Sequence, residues 1–257
     1  MSAPLVLVST DGAVTTLALN RPAKRNALSS ELLEELAAAV AAAERDQTQR
    51  ILILRGEGPA FCAGLDLAET APDRAHRSAG LIADALRALS TTRLVTIAAV
   101  HGAAIAGGAG FMTACDIAVA AKDTQIGYPE TRRGLVAALV MTFLRRQLRE
   151  RDARELLLTG ELIDAARALE IGLVNQVVPE RKLLAEARRY ADAVLRGGPE
   201  AVTNTKRLLA ELWPSPVQAD LERALAFHLE ARKSPEAAEG VAAFREKRPP
   251  KWTPGSA

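Results

Sequence analysis

Twenty-two consecutive residues, Leu94 to Cys115, carry no formal charge, and four of them are glycines. Glycine adds no side chain to a core and loses the most conformational freedom on ordering. A run of this kind therefore serves the backbone: something must come close to it. Three architectures compete. One is a membrane span, for which about 20 apolar residues suffice. Ala, Gly and Thr dominate the run, however, and insert far less favourably than Leu, Ile or Phe; His101 sits near its middle and no aromatic belt flanks it. The second is a dinucleotide loop. Gly108-Ala109-Gly110 begins a G-x-G-x-x-G, but position 113 is threonine. The acidic residue 20 positions after Gly110 is Glu130, which follows a proline in a turn instead of ending a strand. No G-x-x-x-x-G-K-[ST] loop occurs. The third is a buried strand and a core helix joined by a loop whose N–H groups approach a bound molecule.

The flanking sequence sets the fold class. LVLVS (5–9) and VTTLALN (14–20) surround Asp11-Gly12, a strong hairpin signal. SSELLEELAAAVAAAERD (29–46) has helical periodicity, with Ser29 or Ser30 as N-cap and Glu31 suited to the positive helix start. RILILRG (50–56) is a buried strand, 73–89 a helix, LVTIAAV (94–100) a strand, GAGFMTAC a helix and DIAVAA (116–121) another strand. Strands alternating with helices imply parallel pairing through crossovers, hence α/β. From about Arg133 the pattern is helical except for GLVNQVV (172–178), and after Gly197-Gly198-Pro199 it is helical to the end. We place a boundary there, giving a 1–196 α/β body and a 197–257 helical region. In the latter, Leu221, Leu225 and Leu229 form one apolar stripe at spacing four, a face expected to need a partner.

Composition excludes several functions. Across 257 residues the net charge is +2 and aromatics make up 4%, so neither a basic nucleic-acid surface nor base-stacking platforms are expected. The N-terminus lacks a basic stretch followed by a long apolar core. Cys62 and Cys115 have no zinc spacing and are expected to be reduced, buried thiols, which suits the cytoplasm. No metal site is expected.

Two further stretches bear on chemistry. FCAGLDL (61–67) is a second strand-end loop with a glycine, and YPETRRG (128–134) puts Glu130 after a rigid proline. Two loops with free N–H groups and one carboxylate are equipment for enolate chemistry: hydrogen bonds hold a developing oxyanion while the carboxylate moves the adjacent proton. The alternative readings are glycines that only permit tight packing and a helix-start glutamate held by the macrodipole.

LNRPAKRNALS, FCAGLDL, VHGAAIAGGAGF, CDIAVA, IGYPETRRGLV, LLTGELID, A-x-x-x-GLVNQVV and FREKRPPKW, in this order, resemble the enoyl-CoA hydratase/isomerase (crotonase) superfamily along nearly the whole chain. The resemblance implies a spiral of ββα units with a C-terminal helical trimerisation region, and assembly as a homotrimer or hexamer. It implies acyl-CoA thioester substrates, with coenzyme A part of the substrate and no separate cofactor. Residue by residue, it implies an oxyanion hole from the N–H groups of Leu65 and Gly107 and Glu130 as catalytic acid/base. Substrate contacts fall on Lys24, Arg25, Ala27, Ala63, Leu65, Asp66, Leu67 and Gly107. Lys247, in a tail that covers the CoA of a neighbouring subunit in this family, is a further contributor. The expected reaction is hydration of trans-2-enoyl-CoA.

One departure bears on that reaction. Two-glutamate hydratases carry their second carboxylate at the position matched by Gly110, so the water-activating group is lost here. This keeps open a single-glutamate enoyl-CoA isomerase and a non-catalytic acyl-CoA-binding relative. His101 and Cys62 read as structural, and Asp66 reads better as a loop cap than as a catalytic group.

Overall fold

The computed structural model describes residues 3–70, 72–213 and 215–253. The chain opens with a hairpin, β1 (Val6–Asp11) antiparallel to β2 (Val14–Leu19), in which Asp11 pairs with Val14 across the Gly12-Ala13 turn. Helix α1 (Ser30–Arg45) follows; the Ser29 side chain accepts from the Leu32 N–H and so caps its first turn. Next come β3 (Ile51–Gly56), α2 (Pro72–Thr91), β4 (Val95–Val100), a short strand β5 (Ala103–Ile105), α3 (Gly107–Ala114), β6 (Ile117–Ala121) and β7 (Gln125–Gly127). The second half adds α4 (Ala138–Gln147), α5 (Glu150–Thr159), β8 (Leu162–Asp164), α6 (Ala165–Glu170), β9 (Gln176–Val178) and α7 (Leu183–Leu195). Three helices close the chain: α8 (Pro199–Glu211), α9 (Val217–Ala231) and α10 (Pro235–Arg245).

The main sheet has the order β1-β2-β3-β4-β6-β9, parallel from β2 onwards. Strand periodicity of two gives each strand two faces, and in β3 and β4 both are buried. Leu52 and Leu54 pack with α1 and α2, whereas Ile51 and Ile53 pack with Leu183, Ala187 and Ala191 of α7. Burial on both sides explains why these strands read as unbroken apolar runs. A second sheet, β5-β7-β8, is formed by three-residue strands absent from the sequence reading. Their brevity leaves no periodicity to detect. Of GLVNQVV only residues 176–178 are strand.

The break near Gly197 coincides with the turn from α7 to α8, and the following helices pack closely on the body. Lys206 on α8 donates to the Leu94 carbonyl and to Asp116, both at 2.7 Å. Helix α9 packs against α2 and α4. Of the Leu221–Leu225–Leu229 stripe, Leu221 is buried in the main core and Leu225 packs against it, whereas Leu229 is partly exposed and lies outside that cluster. The large apolar side chains left exposed in this region are Leu208, Leu209, Leu212, Trp213, Phe227, Phe244 and Trp252 among the described residues.

Asn26 organises the connection from β2 to α1. It is fully buried at φ +55°, a region Asn tolerates better than most residues. Its Oδ1 accepts from the Arg21 N–H at 2.8 Å, and its Nδ2 donates to the carbonyls of Glu57 (2.9 Å) and Ala60 (2.7 Å). The β2–α1 loop and the loop after β3 are thereby tied together. Asn26→Ala should leave three backbone groups without these partners and lower stability by about 2–4 kcal/mol, read as a shift of the urea midpoint at unchanged slope.

Candidate active site

Two loops meet edge to edge. Phe61 N–H donates to the His101 carbonyl (2.8 Å), Cys62 N–H to Ala103 (3.0 Å), and Ile105 N–H back to the Cys62 carbonyl (3.0 Å). Two glycines permit the approach. A Cβ on Gly64, at φ +87°, would lie 2.8 Å from the Ile105 carbonyl oxygen; one on Gly108 would lie 2.4 Å from that of Cys62. The packing reading therefore holds for Gly64 and Gly108.

The same contact orients two N–H groups. Leu28 donates to the Gly64 carbonyl and accepts from Asp66 N–H, so the Leu65 N–H between them points to the opposite side. Ala106, at φ 51° and ψ −118°, turns the chain sharply before α3. Alanine pays about 1–3 kcal/mol for so rare a backbone, and the turn leaves Gly107 as the first residue of the helix, whose N–H has no intrahelical acceptor. Among the described residues neither Leu65 nor Gly107 donates its N–H to a protein group. Both line one cavity.

Glu130 lines that cavity too. Tyr128, fully buried, anchors the segment after β7. The Glu130 carbonyl accepts from Arg133 N–H (2.9 Å) and Leu135 N–H (3.0 Å), which fixes the residue at the start of a single 3-10 turn, Thr131–Arg133. Its side chain caps nothing. The Oε2 atom is buried and has no hydrogen-bond partner. Loss of hydration pushes the carboxyl from an ordinary 4.5 up to about 7, partly opposed by the backbone N–H and the Arg133 charge.

The cavity of about 100 Å³ exceeds by several-fold the ~10–15 Å³ one water needs. Glu130 is the single acid among its described lining residues. Gly110 lies behind the wall: a Cβ there would be 2.4 Å from Val140 Cγ1, and Val140 itself lines the cavity. Valine thus fills the space into which a side chain at 110 would grow.

The other expected contacts lie outside that cavity, most of them on the facing β2–α1 loop and the loop after β3. Lys24 and Arg25 are exposed on the β2–α1 loop, and the Arg25 carbonyl accepts from Ala63 N–H, with Ala27 two residues on. Asp66 pairs with Arg21 at 2.8 Å and accepts from Ala68 N–H, an Asx turn. Leu67 begins a 3-10 turn, and its side chain lies outside the described residues. Lys247 is exposed beyond α10 and does not line this cavity. His101 Nε2 contacts the Gly58 carbonyl at 2.8 Å. Burial pushes the Cys62 thiol up to about 12, so it is no nucleophile at neutral pH. No group of three His, Cys, Asp or Glu able to hold a metal occurs among the described residues.

Sequence reasoning missed Val140 and the far wall of the cavity, His228 and Arg232 on and after α9 with Val241 and Phe244 on α10. This is the chain's own tail closing over its own Glu130. A Cβ on Gly240 would meet the Arg133 carbonyl at 2.0 Å, and Arg133 stacks on Phe244 at 4.1 Å. The glycine at 240 was the available signal, legible only with its partner segment known.

The sequence model of a family described as enoyl-CoA hydratase/isomerase matches residues 9–255. A Thermus thermophilus protein provisionally named an enoyl-CoA hydratase is 37% identical over 247 residues, 94% of this chain and 98% of its own. An enoyl-CoA hydratase of Mycobacterium tuberculosis is 35% identical, covering 98% of this chain and 97% of its own. Among solved structures, an enoyl-CoA hydratase from Mycobacterium avium superposes with a TM-score of 0.87 at 36% identity (98% and 100% covered). A carnitinyl-CoA hydratase from the same species superposes at 0.88 and 31% (98% and 99%).

Burial of Glu130 has a measurable thermodynamic consequence. The folded carboxyl keeps its proton up to about pH 7, whereas an unfolded one releases it near 4.5. Native stability is therefore lost as pH rises between those values. Glu130→Gln has no such proton. Its stability relative to the parent should improve by about 1–3 kcal/mol from pH 4.5 to pH 8 in denaturant titrations. A helix-start glutamate would move the difference in the parent's favour instead.

Proposed function

The chain belongs to the enoyl-CoA hydratase/isomerase family, and from that premise we propose that Glu130 transfers the proton at C2 of an enoyl-CoA thioester. In this reading the N–H groups of Leu65 and Gly107 hold the thioester oxygen. The carrying observation is the buried, unpartnered Glu130 Oε2 in a cavity shared with those two residues.

The chemistry closes with one carboxylate. Ionised Glu130 removes a proton from C2 of a 3-enoyl-CoA; the electron pair moves onto the thioester oxygen, where each oxyanion donor supplies roughly 3 kcal/mol of stabilisation. The protonated carboxyl then returns the proton to C4, and the double bond lies between C2 and C3. A pKa of about 7 suits a group that both takes and gives the proton. Hydration asks for more: a water must be held near C3 and lose its proton. Glu130 is the one acid among the described residues of the cavity wall, and Val140 fills the space in front of Gly110. The geometry therefore supports double-bond isomerisation best. Hydration of trans-2-enoyl-CoA is the second reading, favoured by the names of the relatives, with Glu130 handling both protons.

Lys24 and Arg25, with Ala27, Ala63, Asp66 and Leu67 nearby, are proposed to meet the coenzyme A portion, which is substrate; no separate cofactor enters the scheme. The buried reduced thiols fit the cytoplasm, and no helix among the described residues is long and apolar enough to cross a membrane. Leu208, Leu209 and Leu212, exposed on and beside α8, are proposed to be covered by further copies in a homotrimer or hexamer. Sedimentation at micromolar concentration should give a trimer or its multiple, and a monomer would refute the assembly.

Conjugated enoyl-CoA absorbance separates the reactions: it rises from 3-enoyl-CoA on isomerisation and falls from trans-2-enoyl-CoA on hydration. The isomerisation rate should rise with pH through about 7, because the ionised carboxyl is the base. Glu130→Gln should lower kcat at least ~100-fold while leaving acyl-CoA affinity nearly unchanged. Tight binding with neither absorbance change would select the non-catalytic relative. Gly110→Glu alone should destabilise the fold through Val140; combined with Val140→Gly, it should raise hydration relative to isomerisation.

A further inference from the structure

The cavity that holds Glu130 is apolar along most of its wall, yet Arg133, His228 and Arg232 also line it. Arginine is rarely buried without an anionic partner, because the guanidinium loses hydration that only hydrogen-bonded anions replace. Arg133 has an evident structural occupation in its stacking on Phe244. Arg232, half-buried just after α9, has none: among the described residues its side chain makes no ion pair or hydrogen bond. Neighbouring cations are accounted for, Lys233 pairing with Glu230 at 2.7 Å and Arg248 with Glu239 at 2.6 Å. Burial draws both Arg133 and Arg232 below their ordinary values and keeps His228, already beside Arg232, neutral at physiological pH. Glu130 is the one acid among the described residues of the wall, its Oε2 makes no hydrogen bond, and no carboxylate pairs with Arg232. This guanidinium therefore lacks an anionic partner.

We propose that this enzyme's preferred acyl group ends in a carboxylate, which Arg232 binds in the Glu130 cavity that Arg133 and His228 also line. The inference rests on the proposed placement of the thioester at Leu65 and Gly107. With the carbonyl there, the exposed Lys24 and Arg25 face the coenzyme A side and the acyl chain runs toward α9 and α10. A planar guanidinium binds a carboxylate through two parallel hydrogen bonds, which explains Arg in place of Lys at this position. A methyl-terminated chain would bury Arg232 further and give it no partner.

Calorimetry on the full-length protein with an ω-carboxyacyl-CoA and its methyl-terminated counterpart of equal length tests this. The wild type should bind the carboxylated ester at least ~10-fold more tightly. Arg232→Gln should abolish that preference by weakening the carboxylated ester alone, and Arg232→Lys should restore it only in part. Equal affinity of the wild type for both esters overturns the proposal without any variant. So does an equal loss for both esters in Arg232→Gln, which would put Arg232 on the phosphates of coenzyme A. A change in sedimentation with the preference intact would assign Arg232 to a carboxylate of a second copy. A carboxylate preference without turnover would leave this assignment standing while removing the catalytic one, and absence of binding by either ester would remove both.

Discussion

The pairing of the chain after β3 with the chain after β4 is the contact on which the site depends. Phe61 and Cys62 form strand-like hydrogen bonds with residues 101 to 105, and Gly64 and Gly108 let the two backbones close to a distance no side chain would permit. Neither loop alone makes a site. Parallel neighbours in a sheet end at the same edge, so the loops following β3 and β4 start side by side; the glycines convert proximity into contact. Leu65 and Gly107 are then left with N–H groups facing one cavity.

Catalytic potential arises from what that cavity withholds. Glu130 sits in an apolar setting with one oxygen unpartnered, and its proton affinity rises accordingly. Such an arrangement costs native stability and is maintained because Tyr128, the 3-10 turn and the backbone hydrogen bonds of Arg133 and Leu135 over-determine the segment. The tail completes the enclosure. Gly134 and Gly240 interlock with backbone of the opposing segment, Glu236 and Arg133 respectively, so α10 lies directly on the turn that follows Glu130.

A packing choice one layer out shapes the cavity wall. Gly110 is buried under Val140, and α3 and α4 approach each other through that pair. A carboxylate at 110 and a valine at 140 compete for one volume. With this pair the cavity wall carries the apolar side chain of Val140 and no carboxylate from position 110.

Hydrophobic periodicity determined the main sheet and its crossovers, the hairpin at Asp11-Gly12, the Ser29 cap and the two glycine loops. These features are local: a strand's two-residue period, a turn's φ requirement and a cap's hydrogen bond are written within a few residues. Family resemblance then pointed to Leu65, Gly107 and Glu130 before any geometry was known. What remained hidden depends on segments distant in the chain. The three-residue strands β5, β7 and β8 carry no periodic signal. The leucine stripe on α9 read as a surface for a partner, but amphipathicity specifies only that a face is covered; α9 packs on α2 and α4, and Leu221 and Leu225 of the stripe join the core. Val140 and Arg232 are unremarkable in sequence. Their meaning comes from facing Gly110 and Glu130's cavity across 30 and about a hundred residues of chain, a juxtaposition that only the packed tertiary structure decides, because desolvation and steric exclusion act through space and not along the chain.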